Sequence, residues 1–258
     1  RRLINVNEVE TGLLTREAPA VVSRPSPSEP LVEIRGITKR FGFRGVLRGV
    51  SFAVAPHECV AVLGANGAGK TTLLRILATL VRPTSGTIRI NGHSLPDRAQ
   101  AVRHEIGVVS HQTFLYQDLT AAENLRFYAR MYDLAEPERR VNEVLDLVGM
   151  SDRKEDRIAG FSRGMQQRVA IARSILHRPS LLLLDEADAG LDRAGRLMLD
   201  RIVRAQQKLG SVIMTTHDVQ GALTLADRVL LLHAGRLVLD TPPELTSLAE
   251  IDARLEFA

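Results

Sequence analysis

The chain has 258 residues, 45% of them hydrophobic and 25% charged, an ordinary balance for a soluble globular protein that can bury a sizeable core. Its 34 basic and 30 acidic residues leave a net charge of only +4, and the basic ones are scattered, so no nucleic-acid partner is expected. The single cysteine, Cys59, excludes an internal disulfide or a cysteine-built metal cluster, and no run reaches the ~18 apolar residues of a membrane-spanning helix.

Residues 1–30 read as a disordered tail. Arg1-Arg2 has no apolar segment behind it, so neither a secretory nor a twin-arginine signal is expected, and Ser23 to Pro30 is rich in Pro and Ser without apolar periodicity. Folding is expected to begin at Leu31, where Val32 and Ile34 alternate with polar neighbours as in a strand. Ser51 to Val54 and Gly86 to Asn91 read as further short strands, the last ending at the turn pair Asn91-Gly92, and together they predict a small antiparallel sheet.

Cys59-Val60-Ala61-Val62-Leu63 reads as a buried strand, with Cys59 a core residue. After it, Gly64-Ala65-Asn66-Gly67-Ala68-Gly69-Lys70-Thr71 fits G-x-x-x-x-G-K-[ST] at every fixed position. Glycines let backbone N–H groups turn towards phosphate oxygens, Lys70 neutralises the β and γ phosphates, and the Thr71 hydroxyl suits Mg²⁺. The helix expected over Thr71 to Leu80 aims its positive end at the same anion. This makes Gly64, Asn66, Gly67, Gly69, Lys70, Thr71 and Thr72 candidate nucleotide-binding residues. The glycine order is not that of the dinucleotide fingerprint G-x-G-x-x-G, and no N-K-x-D guanine-reading motif surrounds any of the four lysines.

From Leu119 to Arg178 the chain is helix-rich, with apolar positions at helical spacing in Ala121–Met131 and Val141–Val148. Two more buried strands follow, Leu181 to Leu184 and Ser211 to Met214, each leading into polar residues and a helical pattern. That order predicts an α/β fold with a central, mainly parallel sheet. Asp185 and Glu186, directly after an apolar strand, are the residue types that hold Mg²⁺ and orient and deprotonate an attacking water.

These motifs, in this order and over about Leu31 to Asp240, resemble those of ABC ATPases. The resemblance implies a P-loop NTPase with a helical subdomain at about 113–178 and a tail over 241–258. Phe161-Ser162-Arg163-Gly164-Met165 stands where that family has a signature usually reading L-S-G-G-Q, with Phe161, Arg163 and Met165 as departures. By resemblance, Ser162 and Gly164 contact a γ-phosphate held by a second copy, although Ser162 alone also reads as a helix N-cap. Gly190-Leu191-Asp192 resembles the D-loop at the dimer interface. His217 is similar to the switch histidine at the γ-phosphate, Gln112 to the Q-loop residue that senses Mg²⁺, and Phe41 to the aromatic that stacks on adenine. The family usually has Pro where Ala187 stands, and Asp188 adds a carboxylate whose expected effect is a greater demand for Mg²⁺.

The resemblance further implies ATP and Mg²⁺ as ligands and a homodimer. It implies separate integral membrane permease subunits, with the chain peripheral to them at the cytoplasmic face of the inner membrane. Thr113-Phe114-Leu115-Tyr116 offers an apolar surface for such a permease. Ile76-Leu77-Ala78-Thr79-Leu80, Ser110-His111-Gln112-Thr113, Leu125 to Arg130 and Thr215-Thr216-His217-Asp218 resemble a narrower group, the haem exporter cassettes of cytochrome c maturation. The alternatives are a cassette exporting drugs, lipids or polysaccharide, and a soluble ABC ATPase acting on DNA or the ribosome. The single cassette without sustained heptads argues against the last.

Overall fold

The computed structural model describes residues 29–247 together with 249, 251 and 253. Most of the expected N-terminal tail, residues 1–28, lies outside the described residues. The front of the chain forms β1 (Val32–Phe41), β2 (Arg44–Val54) and β3 (Cys59–Leu63), then helix α1 (Lys70–Leu77). Next come β4 (Ser85–Ile90), β5 (His93–Leu95), α2 (Ala99–Glu105) and β6 (Ile106–Val109). A helical stretch holds α3 (Ala121–Met131), α4 (Pro137–Leu147) and α5 (Arg163–Ile175). The remainder alternates: β7 (Leu181–Asp185), α6 (Arg193–Gln207), β8 (Ser211–Thr215), α7 (Val219–Leu225), β9 (Arg228–His233) and β10 (Arg236–Thr241).

Two sheets result. β2-β1-β4-β5 is antiparallel throughout, as expected, although β2 is longer than its apolar end suggested. The second sheet runs β10-β9-β3-β8-β7-β6, parallel except for the β9–β10 pair. Strands β3, β7 and β8 are buried at every position, which is why they read as unbroken apolar runs. Their side chains still alternate between two cores. Cys59, Ala61, Leu63, Leu182 and Leu184 join the core beneath the helical stretch and α6, whereas Val60, Val62, Leu181 and Leu183 join that of α1 and the antiparallel sheet. Cys59 is fully buried, and burial pushes its thiol up to about 12, so it is an inert core residue.

Helix ends follow local chemistry. At α3 the Thr120 hydroxyl accepts from Glu123 N (3.1 Å) while Glu123 accepts from Thr120 N (2.8 Å), a full capping box. Asp192 caps α6 by accepting from Gly195 N at 2.8 Å. Helix α1 ends at Leu77, three residues earlier than its apolar pattern suggested, because Thr79 adopts φ 61 and Leu80 N turns back to Arg75 O (2.9 Å).

The helical stretch is riveted to β6, the end strand of the mainly parallel sheet. A Cβ at Gly107 would lie 2.1 Å from Ser174 O, so only glycine permits the approach of α5. His177 Nε2 meets Ile106 O at 3.0 Å and Arg173 Nη2 donates to Val108 O at 2.6 Å. Arg140, buried in α4, donates to Leu176 O (2.9 Å) and Ile175 O (2.8 Å), closing the C-terminal end of α5. Burial pushes the His177 imidazole down to about 3, so it stays neutral at ordinary pH. The stretch expected to be a tail starts with Thr241, the last residue of β10, and Ile251 is buried in the core. Among the described residues no helix is long and apolar enough to cross a membrane.

Candidate active site

The carboxyl ends of β3, β7, β8 and β6 lie side by side, the place where open parallel sheets gather ligand chemistry. The loop leaving β3 forms a cradle. Gly69 holds φ 111, and a Cβ there would lie 2.7 Å from Leu47, so the turn into α1 requires glycine. Lys70 is buried, its Nζ donating to Gly64 O (2.6 Å) and Ala65 O (3.3 Å). Burial lowers its pKa, while the nearby Glu186 and Asp185 carboxylates act to raise it.

A cleft of about 630 Å³ opens over this cradle, a size suited to a small-molecule ligand. Asn66, Gly67, Gly69, Lys70, Thr71, Thr72 and Glu186 line it. Phe43, Arg44 and Arg48 from the β1–β2 turn and β2 form its outer wall.

Asp185 ends β7 buried. Its Oδ1 accepts from the hydroxyls of Thr71 (3.1 Å) and Thr215 (2.9 Å), whereas its Oδ2 is buried with no partner. An orphaned carboxylate oxygen beside a threonine hydroxyl is a hard-oxygen set that fits Mg²⁺. Glu186 follows in the left-handed region at φ 52, a strain on the order of 1–3 kcal/mol for a non-glycine residue. Its backbone is held by β8, N donating to Thr215 O and to Thr215 Oγ1, both at 3.1 Å. His217 Nε2 lies 2.8 Å from Glu186 Oε1, and His111 Nε2 lies 3.3 Å from Oε2.

Lys70, Thr71, Asp185, Glu186 and His217 therefore converge. Others stand apart. Gln112 is exposed beyond the end of β6 and is not among the residues lining the cleft. Phe41 is likewise outside that lining; Lys39 Nζ sits 4.7 Å from its ring centroid, and Phe43, beyond the φ 57 turn at Gly42, takes the place at the mouth. Ser162 does cap α5, its hydroxyl accepting from Met165 N at 3.3 Å, and a Cβ at Gly164 would lie 2.9 Å from Gly190 O. The signature segment thus packs on the Gly190-Leu191-Asp192 loop, away from this chain's own cradle. Two α5 side chains secure it there: Gln167 Nε2 donates to Ala187 O (3.0 Å) and Arg168 Nη2 to Asp192 Oδ1 (2.9 Å).

Asp188 does not face the cleft. Its Oδ2 accepts from the Thr216 hydroxyl (2.8 Å), which in turn accepts from Asp218 N (3.0 Å). It lines a separate cavity of about 90 Å³ with Leu199, Val203 and Met214. This placement lends no support to a heightened Mg²⁺ demand: the carboxylate braces the residues flanking His217. Residues to which the motifs assigned no role are His111, Phe43 and Thr215.

The family model described as "ABC transporter" matches residues 47–189. The linearmycin resistance ATP-binding protein LnrL of Bacillus subtilis (strain 168) is 34% identical over 211 residues, 81% of this chain and 68% of that one. The Nod factor export ATP-binding protein I of Paraburkholderia xenovorans (strain LB400) is 34% identical over 226 residues, 86% of this chain and 74% of the other. Among solved structures, the dimeric post-hydrolysis state of the ATP-binding cassette MJ0796 bound to ADP and Pi shares 26% identity at a TM-score of 0.76, covering 82% of this chain and 98% of that one.

Proposed function

The chain belongs to the ABC transporter family as an ATP-binding subunit, and from that premise we propose that it drives an exporter, closing as a head-to-tail dimer beneath separate permease subunits at the cytoplasmic face of the membrane. ATP hydrolysis is the activity of the family and of this chain. The observation that carries the mechanism is that Lys70 and Glu186 line one cleft with Thr71, whose hydroxyl meets Asp185.

Lys70 leaves its loop carbonyls for the β and γ phosphates, while backbone N–H groups of residues 64–71 wrap them. Phe43 is the better placed of the two aromatics to stack on the base. Thr71 and Asp185 would hold Mg²⁺, which neutralises phosphate charge when bound; Gln112 is the further candidate for that role. Glu186 takes the proton of the attacking water, and His217 steadies the γ-phosphate side. Ser162 and Gly164 face a partner's nucleotide, a reading supported by their position on the Gly190 loop and by the dimeric cassette structure.

The exposed Phe114, Tyr116 and Phe127 beside the Gln112 loop suit a permease contact. The relatives' names, linearmycin resistance and Nod factor export, support an exporter of such compounds. Haem export is the second reading, favoured by the resemblance of segments such as Ser110 to Thr113.

The test is a tagged Glu186→Gln chain purified with ATP from native membranes. It should bind ATP and dimerise, with turnover reduced on the order of 10²-fold or more, and bring a polytopic permease with it. A cytochrome c maturation permease would establish the haem reading, and another exporter permease the first. Continued turnover would remove Glu186 as base, and reproducible absence of any membrane protein would overturn the transporter reading.

A further inference from the structure

The geometry points to His111 as a positioning residue for hydrolysis: its imidazole fixes the second oxygen of the Glu186 carboxylate. The inference rests on the reading of Glu186 as the base. In the sheet, β7 lies between β8 and β6. Glu186 projects from the end of β7, and its carboxylate is bracketed by one histidine from beyond each neighbour, His217 after β8 and His111 after β6. Contact at Oε1 alone leaves the carboxylate free to rotate about its last bond, a torsion with broad preferences. A second contact at Oε2 sets the plane of the group, and with it the direction from which a water can be deprotonated.

A packing role does not account for His111. Its side chain is 49% exposed, against 18% for Glu186, and it belongs to neither apolar core. The main chain around it is held without it, since Ser110 Oγ donates to Gln112 O at 2.9 Å. What its imidazole meets is the carboxylate.

The experiment uses the full chain with Mg-ATP and compares wild type, His111→Ala, His111→Gln and Glu186→Gln. For His111→Ala, kcat should fall about tenfold while KM for ATP stays within about twofold. His111→Gln, which retains an N–H donor of similar reach, should recover most of the rate. Affinity for a fluorescent ATP analogue without Mg²⁺ should be unchanged in both, as should the melting temperature. A wild-type kcat in His111→Ala alongside an inactive Glu186→Gln would overturn the inference and leave the base in place. So would a loss that His111→Gln does not relieve, or one in KM or melting temperature instead of kcat. An active Glu186→Gln would remove the base itself and the inference with it.

Discussion

Two regions bury polar side chains for opposite ends. At the seam between the helical stretch and β6, Arg140, Arg173 and His177 turn inward and bind main-chain carbonyls. At the cleft, Lys70 and Asp185 are as deeply buried, but Lys70 lines a cavity, Asp185 meets the hydroxyl of Thr71 that lines it too, and the next residue, Glu186, is strained and faces the same space. Buried charge alone therefore does not mark a site. Its surroundings do: groups enclosed in a packed seam hold the fold, and groups that border a cavity, as Lys70 does even while it bonds its own loop carbonyls, wait for a ligand.

The sharpest way to break this contrast is Lys70→Ala. Nucleotide affinity and turnover should fall on the order of 10²–10³-fold with little change in melting temperature. A large loss of stability with affinity retained would place Lys70 with the inward group.

The seam offers the complementary test. Because His177 is held neutral with a folded pKa of about 3 against an ordinary 6.5, the unfolded state binds the extra proton between those values. Its contribution to stability is complete above about pH 6.5 and is lost as pH falls towards 3, on the order of a few kcal/mol in all. In denaturant titrations, His177→Gln should show a shallower fall than wild type across that window, with ATPase activity at neutral pH unchanged. An identical slope in both would mean that the imidazole is not closed off from solvent.

The smallest effect is expected at Asp188, whose bond to Thr216 belongs to neither region. Asp188→Asn should cost about 1 kcal/mol or less and leave the Mg²⁺ concentration for half-maximal activity unmoved. A shift in that concentration would return the carboxylate to the cleft.

Much of the fold was legible. Strands β3, β7 and β8 are buried on both faces and so announce themselves as apolar runs, and the cradle has a fixed spacing of glycine, lysine and threonine. Strand β6 was missed because Ile106–Val109 is four residues long and follows the charged end of α2 without a turn signal. That Phe43 and not Phe41 lines the cleft goes with one positive φ at Gly42, between the two rings. His111 could not have been found from spacing. It meets Glu186 because β6 lies next to β7, and the order of strands in a sheet is set by long-range pairing that no local pattern contains.

The seam has a consequence for how copies of this protein meet. Ile106 O and Val108 O are two residues apart and so project from the same side of β6, the terminal strand of its sheet. With both taken by His177 and Arg173, an extended peptide arriving there finds no row of acceptors to pair with. The same side chains that fasten the helical stretch thus also occupy the acceptors through which that terminal strand could pair with another sheet.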